Sequence, residues 1–305
     1  TQRAVTGGSD DLTVAEAMRQ KGYAYKEQGL LLEATQAHQR ALTIFERILG
    51  PEHPLIARSL EQIGSLLAER GLPERGVTFI ERSVPLLTTM YGPNSTRLIP
   101  ALGNLGLTYN ELDRPGDALA RFEEILRILD HKFGATPSPK ERAGYLRVYI
   151  ALTQAKIGLG RLEEARRTIQ RAVETEREIG EVQLAPSIHG DIWTTKAMVE
   201  EADGDRTQAI ADTQRALDTH RQRLGEDHLY TAISRAKLAA LRIEAGESPL
   251  DPTIQRLLRR AAVLVDNESF PASLRGQLQH NLQAAGLPSR SPPAAEAGVP
   301  DSFAP

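Results

Sequence analysis

Two short segments of the sequence hold an imidazole next to carboxylates, the residue types that general acid–base chemistry uses. They are His189-Gly190-Asp191 and Glu226-Asp227-His228. No nucleophile accompanies either segment, and both fall where helices of a repeated pattern are expected to connect. The seven histidines are spread along the chain without a ligand-type partner four residues away, and neither a His-Glu-x-x-His pair nor a glycine-rich phosphate loop occurs. The sequence therefore predicts no enzyme activity, no metal site and no cofactor.

Composition restricts the classes of partner and compartment. The net charge is −3 with 25% charged residues, so the chain lacks the basic field that nucleic acid or an anionic membrane attracts. No apolar run approaches the roughly 18 residues of a membrane span, and no secretory leader is expected. The absence of cysteine excludes disulfides and cysteine-ligated zinc. The expected compartment is the cytoplasm, with the periplasm left open.

A repeat of 42 residues organises the chain. Gly50, Gly92 and Gly134 each follow a helical pattern at this step, and Gly180 and Gly225 follow at steps of 46 and 45. The same step backwards from Gly50 reaches Gly8, which predicts a connector there. Fixed periods of this length are typical of solenoids built from small helical units.

A tight turn is expected near the middle of each unit, where Gly or Asp tolerates the left-handed conformation that ends many helices. The markers are Gln28-Gly29-Leu30, Arg70-Gly71-Leu72, Leu112-Asp113-Arg114, Leu159-Gly160-Arg161 and Asp203-Gly204-Asp205. A small residue follows each marker by five positions, which predicts that two helix axes cross closely there. These residues are Ala34, Gly76, Ala118, Ala165 and Ala209.

These residues resemble the tetratricopeptide-repeat pattern, and the third unit matches it best with Leu102, Leu105, Gly106, Tyr109, Ala118, Phe122 and Ile125. The long unit and its Leu-Gly-Pro-Glu-His-Pro connector resemble the extended repeats of kinesin light chains. The fifth unit departs from the pattern at Lys196 and Glu200, where Leu and Tyr are expected. The resemblance implies an all-α fold, a right-handed α-solenoid of antiparallel helix pairs.

Four segments are expected along the chain. Residues 1–8 are interpreted as the end of an upstream repeat, and residues 9–270 as six helix pairs. Residues 271–285, with Leu278 and Leu282 on one stripe, are expected to cap the last exposed face. Residues 286–305 are rich in proline and are expected to form a disordered tail.

The resemblance also implies a binding surface, a concave wall lined by the first helix of each pair. The positions carried over by phase are Arg19, Tyr23, Lys26, Arg58, Glu61, Leu107, Asn110, Arg147, Gln154 and Met198. Whether the apolar positions of units four to six, such as Ile150 and Ile157, are groove or core stays open at this point. His38 stands two repeat steps before Phe122 and is therefore expected to be a packed core residue. His53 is expected to be part of a rigid connector.

The expected function is a scaffold that binds a protein or peptide, as the sensing or recruiting part of a larger bacterial signalling protein. Contact with an upstream domain of the same polypeptide is also expected. The alternative is a domain for self-association or autoinhibition. The Asn and Lys/Arg set with which co-chaperone arrays hold an acidic peptide end is missing at the matching phases, where Leu107 and Gln154 stand in place of Asn.

Overall fold

The computed structural model describes the backbone of residues 2–134, 136–179, 184–264 and 272–287, and within them the side chains except those of 2–10 and 272–275. These ranges hold thirteen α-helices and no strand, so the predicted all-α class is confirmed. The helices are α1 Gln2–Glu27, α2 Leu31–Leu49, α3 Pro54–Glu69, α4 Pro73–Tyr91, α5 Ile99–Glu111, α6 Pro115–Phe133, α7 Pro139–Gly158, α8 Leu162–Ile179, α9 Ile188–Ala202, α10 Arg206–Leu224, α11 Leu229–Glu244, α12 Pro252–Ala262 and α13 Ala272–Ala284.

The chain divides into two compact units, Thr1–Lys132 and Phe133–Pro305. In unit 1, α2 packs on its own first helix α1 and on the next first helix α3, and α4 packs in the same way on α3 and α5. In unit 2, α7 to α12 repeat this arrangement, and α13 packs mainly on α11. Stacked helix pairs are therefore the architecture of each unit.

Local turn chemistry separates the helices where the sequence predicts. The turns within pairs all have a residue of positive φ, and in the third pair this is Asp113, the one described non-glycine residue with that conformation (φ 53°). Proline begins the helix after several turns and connectors, because its fixed φ suits the first helical turn. The His53 ring accepts a hydrogen bond from the Leu55 N–H at 3.2 Å and so caps α3, which agrees with a structural role for this connector histidine.

Helices within a pair approach closely at the small residues, as predicted. Ala34, Ala118, Ala165 and Ala209 are fully buried. A Cβ added to Gly76 would lie 2.6 Å from the carbonyl oxygen of Gly64, so no side chain fits between α3 and α4 there. These contacts fix the register of one helix on the other.

The fifth pair replaces apolar packing with ion pairs at the two positions where it departs from the repeat pattern. Lys196 on α9 lies 2.5 Å from Asp212 of α10, whose side chain is fully buried. Glu200 lies 3.0 Å from Arg166 of α8. A buried carboxylate requires such a partner, so each departure from the pattern is matched by an oppositely charged side chain on a neighbouring helix.

The beginning of the chain differs from the sequence prediction. Helix α1 runs without interruption from Gln2 to Glu27, so residues 2–8 belong to α1, and the connector expected at Gly8 is wrong. The physical reason is that Gly50, Gly92, Gly134 and Gly225 take the left-handed conformation that ends a helix, and proline follows the first two, whereas Gly8 has neither feature.

At the other end, α13 places Leu278, Leu282 and Ala285 in one apolar cluster with Ile254 and Leu258 of α12 and several residues of α11. The expected tail lies outside the described residues from 288 onward, as does Gly180 of the predicted connector series.

Candidate partner-binding surface

The first helices of unit 1 carry seven of the predicted binding residues, which we call the first-helix wall. On α1, Arg19 is paired with Glu16 and donates a hydrogen bond to the Tyr23 hydroxyl at 3.3 Å. Lys26 donates to Glu69 of α3 at 2.6 Å. The wall positions of α1 are therefore held in place by their neighbours, and the Lys26–Glu69 bond joins α1 to α3.

On α3, Arg58 is exposed and Glu61 is half-buried. The Asn104 amide of α5 donates to Glu61 at 3.2 Å, which joins α3 to α5. Burial raises the pKa of Glu61, while the positive charges of Arg58 and Lys26 act in the opposite direction. Side-chain hydrogen bonds thus connect α1 to α3 and α3 to α5, in each case between residues that are 43 positions apart in the sequence.

On α5 the first-helix wall has an exposed apolar side chain and, close to it, a hydrogen-bond donor without a partner among the described residues. Leu107 is 47% exposed, one of few large apolar side chains of the described residues with that much solvent contact. The Asn110 amide nitrogen is enclosed but has no hydrogen-bond partner in the described part of the chain. The surrounding protein and, to a smaller extent, the Glu69 carboxylate raise the pKa of Glu111 to about 7, although its side chain keeps contact with solvent. An apolar group and a hydrogen-bond donor therefore lie within one helical turn.

Beneath the wall, the His38 ring of α2 is fully buried and meets the Tyr23 ring edge-on, with 5.0 Å between ring centroids. A Cβ on Gly22 would lie 2.6 Å from this ring, as one on Gly106 would lie 2.7 Å from the Phe122 ring in the third pair. Burial, reinforced by Arg19 and Lys26, lowers the pKa of His38 to about 4. His38 is a neutral core residue, as its phase predicts.

The other three predicted residues belong to unit 2. Arg147 of α7 is exposed, and Gln154 and Met198 are half-buried. Ile150 and Ile157 pack against the apolar cluster formed by α7, α8 and α9, and Ile243 packs against that of α11 to α13. These three isoleucines are partly buried and each packs on an apolar cluster of unit 2.

The structure also brings together a group that sequence reasoning missed. The His220 ring lies 2.9 Å from the Ser234 hydroxyl through Nδ1 and 3.6 Å from the Asp191 carboxylate through Nε2. Three helices, α9, α10 and α11, supply these residues, and no spacing rule in the sequence links them. His220 is 2% exposed and Ser234 3%, so a substrate cannot reach the hydroxyl. We interpret the group as a polar tie between helices.

Within the described ranges, no three histidine or carboxylate side chains form a cluster that could hold a metal ion. None of the helices described there combines the length and apolar composition that crossing a membrane requires.

Comparisons with known proteins agree with the repeat geometry. The model of the family described as tetratricopeptide repeat matches residues 13–89 and 56–131. Over residues 13–131 the chain is thus similar to the tetratricopeptide-repeat family. It is 24% identical over 155 residues to Protein Kinesin light chain-related 1 of Arabidopsis thaliana; the match covers 49% of this chain and only 24% of that relative's length.

Solved structures show the same fold. The kinesin-light-chain TPR-like repeats of Podosopora anserina align with a TM-score of 0.55 at 16% identity, over 68% of this chain and 94% of that one. A Rap protein complexed with competence and sporulation factor aligns with a TM-score of 0.58 at 14% identity, over 88% of this chain and 71% of that one. These structures show a fold of stacked helix pairs, and tetratricopeptide repeats, which the family model matches over residues 13–131, generally mediate protein–protein interaction.

Proposed function

We propose that this protein is a scaffold whose first-helix wall in unit 1 binds an extended segment of a partner protein. The observation that carries the proposal is the combination on α5 of an exposed Leu107 with an enclosed, unpaired Asn110 amide. An unsatisfied buried donor costs about 1–3 kcal/mol. The Asn110 side chain as a whole is half-buried, so rotation of its amide presents this donor to an acceptor on a ligand. A peptide offers such an acceptor in every backbone carbonyl and can place an apolar side chain beside it.

The surrounding wall favours a segment of mixed charge. Arg19, Lys26 and Arg58 alternate with Glu16, Glu61 and Glu69, and several of them are already paired within the wall. Exposed ion pairs contribute only about 0–1 kcal/mol, whereas burial of a large apolar side chain contributes about 1.5–3 kcal/mol. We therefore expect apolar contact at Leu107 to dominate affinity, and salt dependence to be modest.

In unit 2, Arg147, Gln154 and Met198 are proposed to make further contacts with the same partner or with an upstream domain of the same polypeptide. The proposed setting is a larger cytoplasmic signalling protein of bacterial type, in which these repeats recruit or sense for another module. The curated relative is about four times longer than the part that the chain matches, which is compatible with such a setting.

The test is affinity capture with this chain as bait, followed by a quantitative binding measurement with the captured protein. Leu107→Glu should weaken binding by about tenfold or more, since a charge then replaces the apolar side chain that the bound partner would bury. Leu250→Glu is the matched control, because Leu250 is 81% exposed and does not belong to the first-helix wall.

Asn110→Ala should weaken binding by a smaller factor, and the circular dichroism of all variants should equal that of the wild type. Equal affinities for the Leu107 and Leu250 variants would contradict the proposed site. If the chain instead captures only itself, and solution mass shows a dimer, the alternative of self-association is correct.

A further inference from the structure

The sixth helix pair buries an arginine at a position where the second and third pairs have leucine. Arg235 of α11 stands eleven residues before Gly246, the residue of positive φ in the turn that follows its helix. The same distance before the turns after α3 and α5 leads to Leu60 and Leu102, both fully buried. Arg235 is only 3% exposed. Burial of a charge lowers stability unless other groups compensate it, so this position is held by a different kind of contact.

The group that compensates Arg235 is Glu226 of the connector between α10 and α11. The Arg235 guanidinium donates to the Glu226 backbone carbonyl oxygen at 2.6 Å and also forms a salt bridge with the Glu226 carboxylate. The same carboxylate lies 3.0 Å from Arg260 of α12 and 3.7 Å from Arg221 of α10. Arg221 also lies 3.5 Å from Asp218 of its own helix. Three guanidinium groups from three helices therefore share the Glu226 carboxylate.

Helix α12 adds positive charge to this cluster and brings no carboxylate of its own. The helix, Pro252–Ala262, has three arginines and no acidic residue. Arg256, Arg259 and Arg260 are three and four residues apart, so they lie on one side of the helix. All three are exposed, and within the described ranges only Arg260 has a carboxylate partner. Positive charge on this side of α12 is therefore in excess.

Repulsion among the arginines is evident at Arg235. Burial lowers the pKa of Arg235, and the positive charges of Arg260 and Arg221 act in the same direction. The carboxylates of Glu226 and Asp227 act against them. Because like charges at this distance repel, a further anion beside the cluster would be attracted to it.

The outer guanidinium groups remain open to such an anion. The side chains of Arg260 and Arg221 are 58% and 52% exposed although both contact Glu226. A guanidinium group offers five N–H donors in a planar fork that binds a carboxylate through two parallel hydrogen bonds. We call the surface formed by Arg221, Arg256, Arg259 and Arg260 the arginine site.

We propose that the arginine site binds an acidic segment of a partner protein, with two carboxylate side chains about 6 Å apart, the rise between Arg256 and Arg260 along α12. One carboxylate binds between Arg260 and Arg221, and the other binds Arg256. A nucleic acid is disfavoured as the occupant, because the chain as a whole has a net charge of −3. The site lies on α10 and α12, the second helices of their pairs, so the proposal is independent of what the first-helix wall binds.

The test uses the full chain and two short fluorescein-labelled peptides, one with glutamate at every second position and one with glutamine there. Side chains two residues apart in an extended peptide lie about 6–7 Å apart on the same side, which matches the arginine site. Fluorescence anisotropy measures binding. We expect the glutamate peptide to bind and the glutamine peptide not to bind. The affinity for the glutamate peptide should fall at least about threefold between about 50 and 200 mM salt.

Three substitutions locate the peptide on the chain. Arg260→Gln and Arg256→Gln should each weaken binding of the glutamate peptide by about threefold or more, since each removes one ion pair. Arg171→Gln is the matched control, because Arg171 is an exposed arginine of α8, another second helix of unit 2. Glu226→Gln should strengthen binding by about threefold or more, because Glu226 competes with the peptide for the same guanidinium groups. A cluster with only a structural role would leave the affinity of this variant unchanged.

Arg235→Leu separates binding from stability. Leucine is the residue that the second and third pairs have at this position, so the melting temperature should not fall. Glu226, released from Arg235, then neutralises Arg260 more completely, and binding of the glutamate peptide should weaken by about threefold. Circular dichroism of every variant should equal that of the parent chain, so that a change of affinity does not reflect unfolding.

The proposal is overturned if the two peptides bind equally, or if Arg260→Gln and Arg171→Gln have the same effect. It is also overturned if single-stranded DNA of equal charge binds more tightly than the glutamate peptide, because the surface then recognises a polyanion. Loss of peptide binding in Leu107→Glu but not in Arg260→Gln would place the acidic peptide on the first-helix wall instead, and would leave the proposed function of that wall intact.

Discussion

The close approach of the two helices within a pair can be tested at two helical glycines whose surroundings differ. Gly64 of α3 and Gly103 of α5 both lie in the interior of a first helix. A Cβ on Gly64 would lie 2.7 Å from the Gly76 carbonyl oxygen and 2.4 Å from a carbon of the buried Ile80 side chain. A Cβ on Gly103 would meet its nearest atom, on Ile125, at 3.9 Å, an ordinary contact.

Replacement by alanine should therefore have opposite effects. Both changes gain about 0.5–1 kcal/mol from reduced backbone freedom in a helix. Gly64→Ala also overpacks a crossing that is closed by backbone, which costs about 1–3 kcal/mol. We expect Gly103→Ala to stabilise the protein slightly and Gly64→Ala to destabilise it, with the difference between the two equal to the overpacking cost.

Thermal unfolding followed by circular dichroism measures this difference. For a unit of this size 1 kcal/mol corresponds to roughly 4 °C, so the two melting temperatures should differ by about 4–12 °C. Urea midpoints provide a second measure, because stacked repeats need not unfold in one step. Equal melting temperatures for the two variants would refute the close crossing of α3 and α4.

Three other predictions follow from the same packing. Ala118→Leu and Ala165→Leu should each lower stability by about 1–3 kcal/mol in urea unfolding, and unchanged midpoints would show that the helix phase is misassigned. Deleting residues 288–305 should leave the melting temperature unchanged, because Leu287, which packs on the cluster around Leu258, is retained. Deleting 271–305 should lower the melting temperature because this cluster loses Leu278 and Leu282, and equal effects would contradict the capping role of α13. His38 should make stability fall as the pH decreases from about 6.5 to about 4, because the unfolded chain binds a proton that the folded chain, with its lowered pKa, does not. His38→Phe should remove this part of the pH dependence in melting curves, and an unchanged dependence would show that other groups cause it.

Much of the architecture was predictable because it depends on local chemistry. Left-handed residues such as Gly71 and Asp113 end helices, prolines such as Pro54 begin them, and the 42-residue step relates equivalent positions without any knowledge of contacts. The phase also placed His38 in the core correctly. The same local reasoning failed at Gly8, which the 42-residue step marked as the end of a helix although α1 continues through it.

Other features required the tertiary structure. The hydrogen bonds Lys26–Glu69 and Glu61–Asn104 join side chains that are 43 residues apart. The salt bridge between Lys196 and Asp212 explains why a lysine stands where the repeat pattern has leucine. The meeting of Asp191, His220 and Ser234 has no sequence signal either. The sequence by itself determined helix periodicity, turns and the small residues at crossings, since these depend on the backbone and near neighbours. Only the tertiary structure decided which polar groups find partners, because that outcome depends on how helices distant in sequence stack.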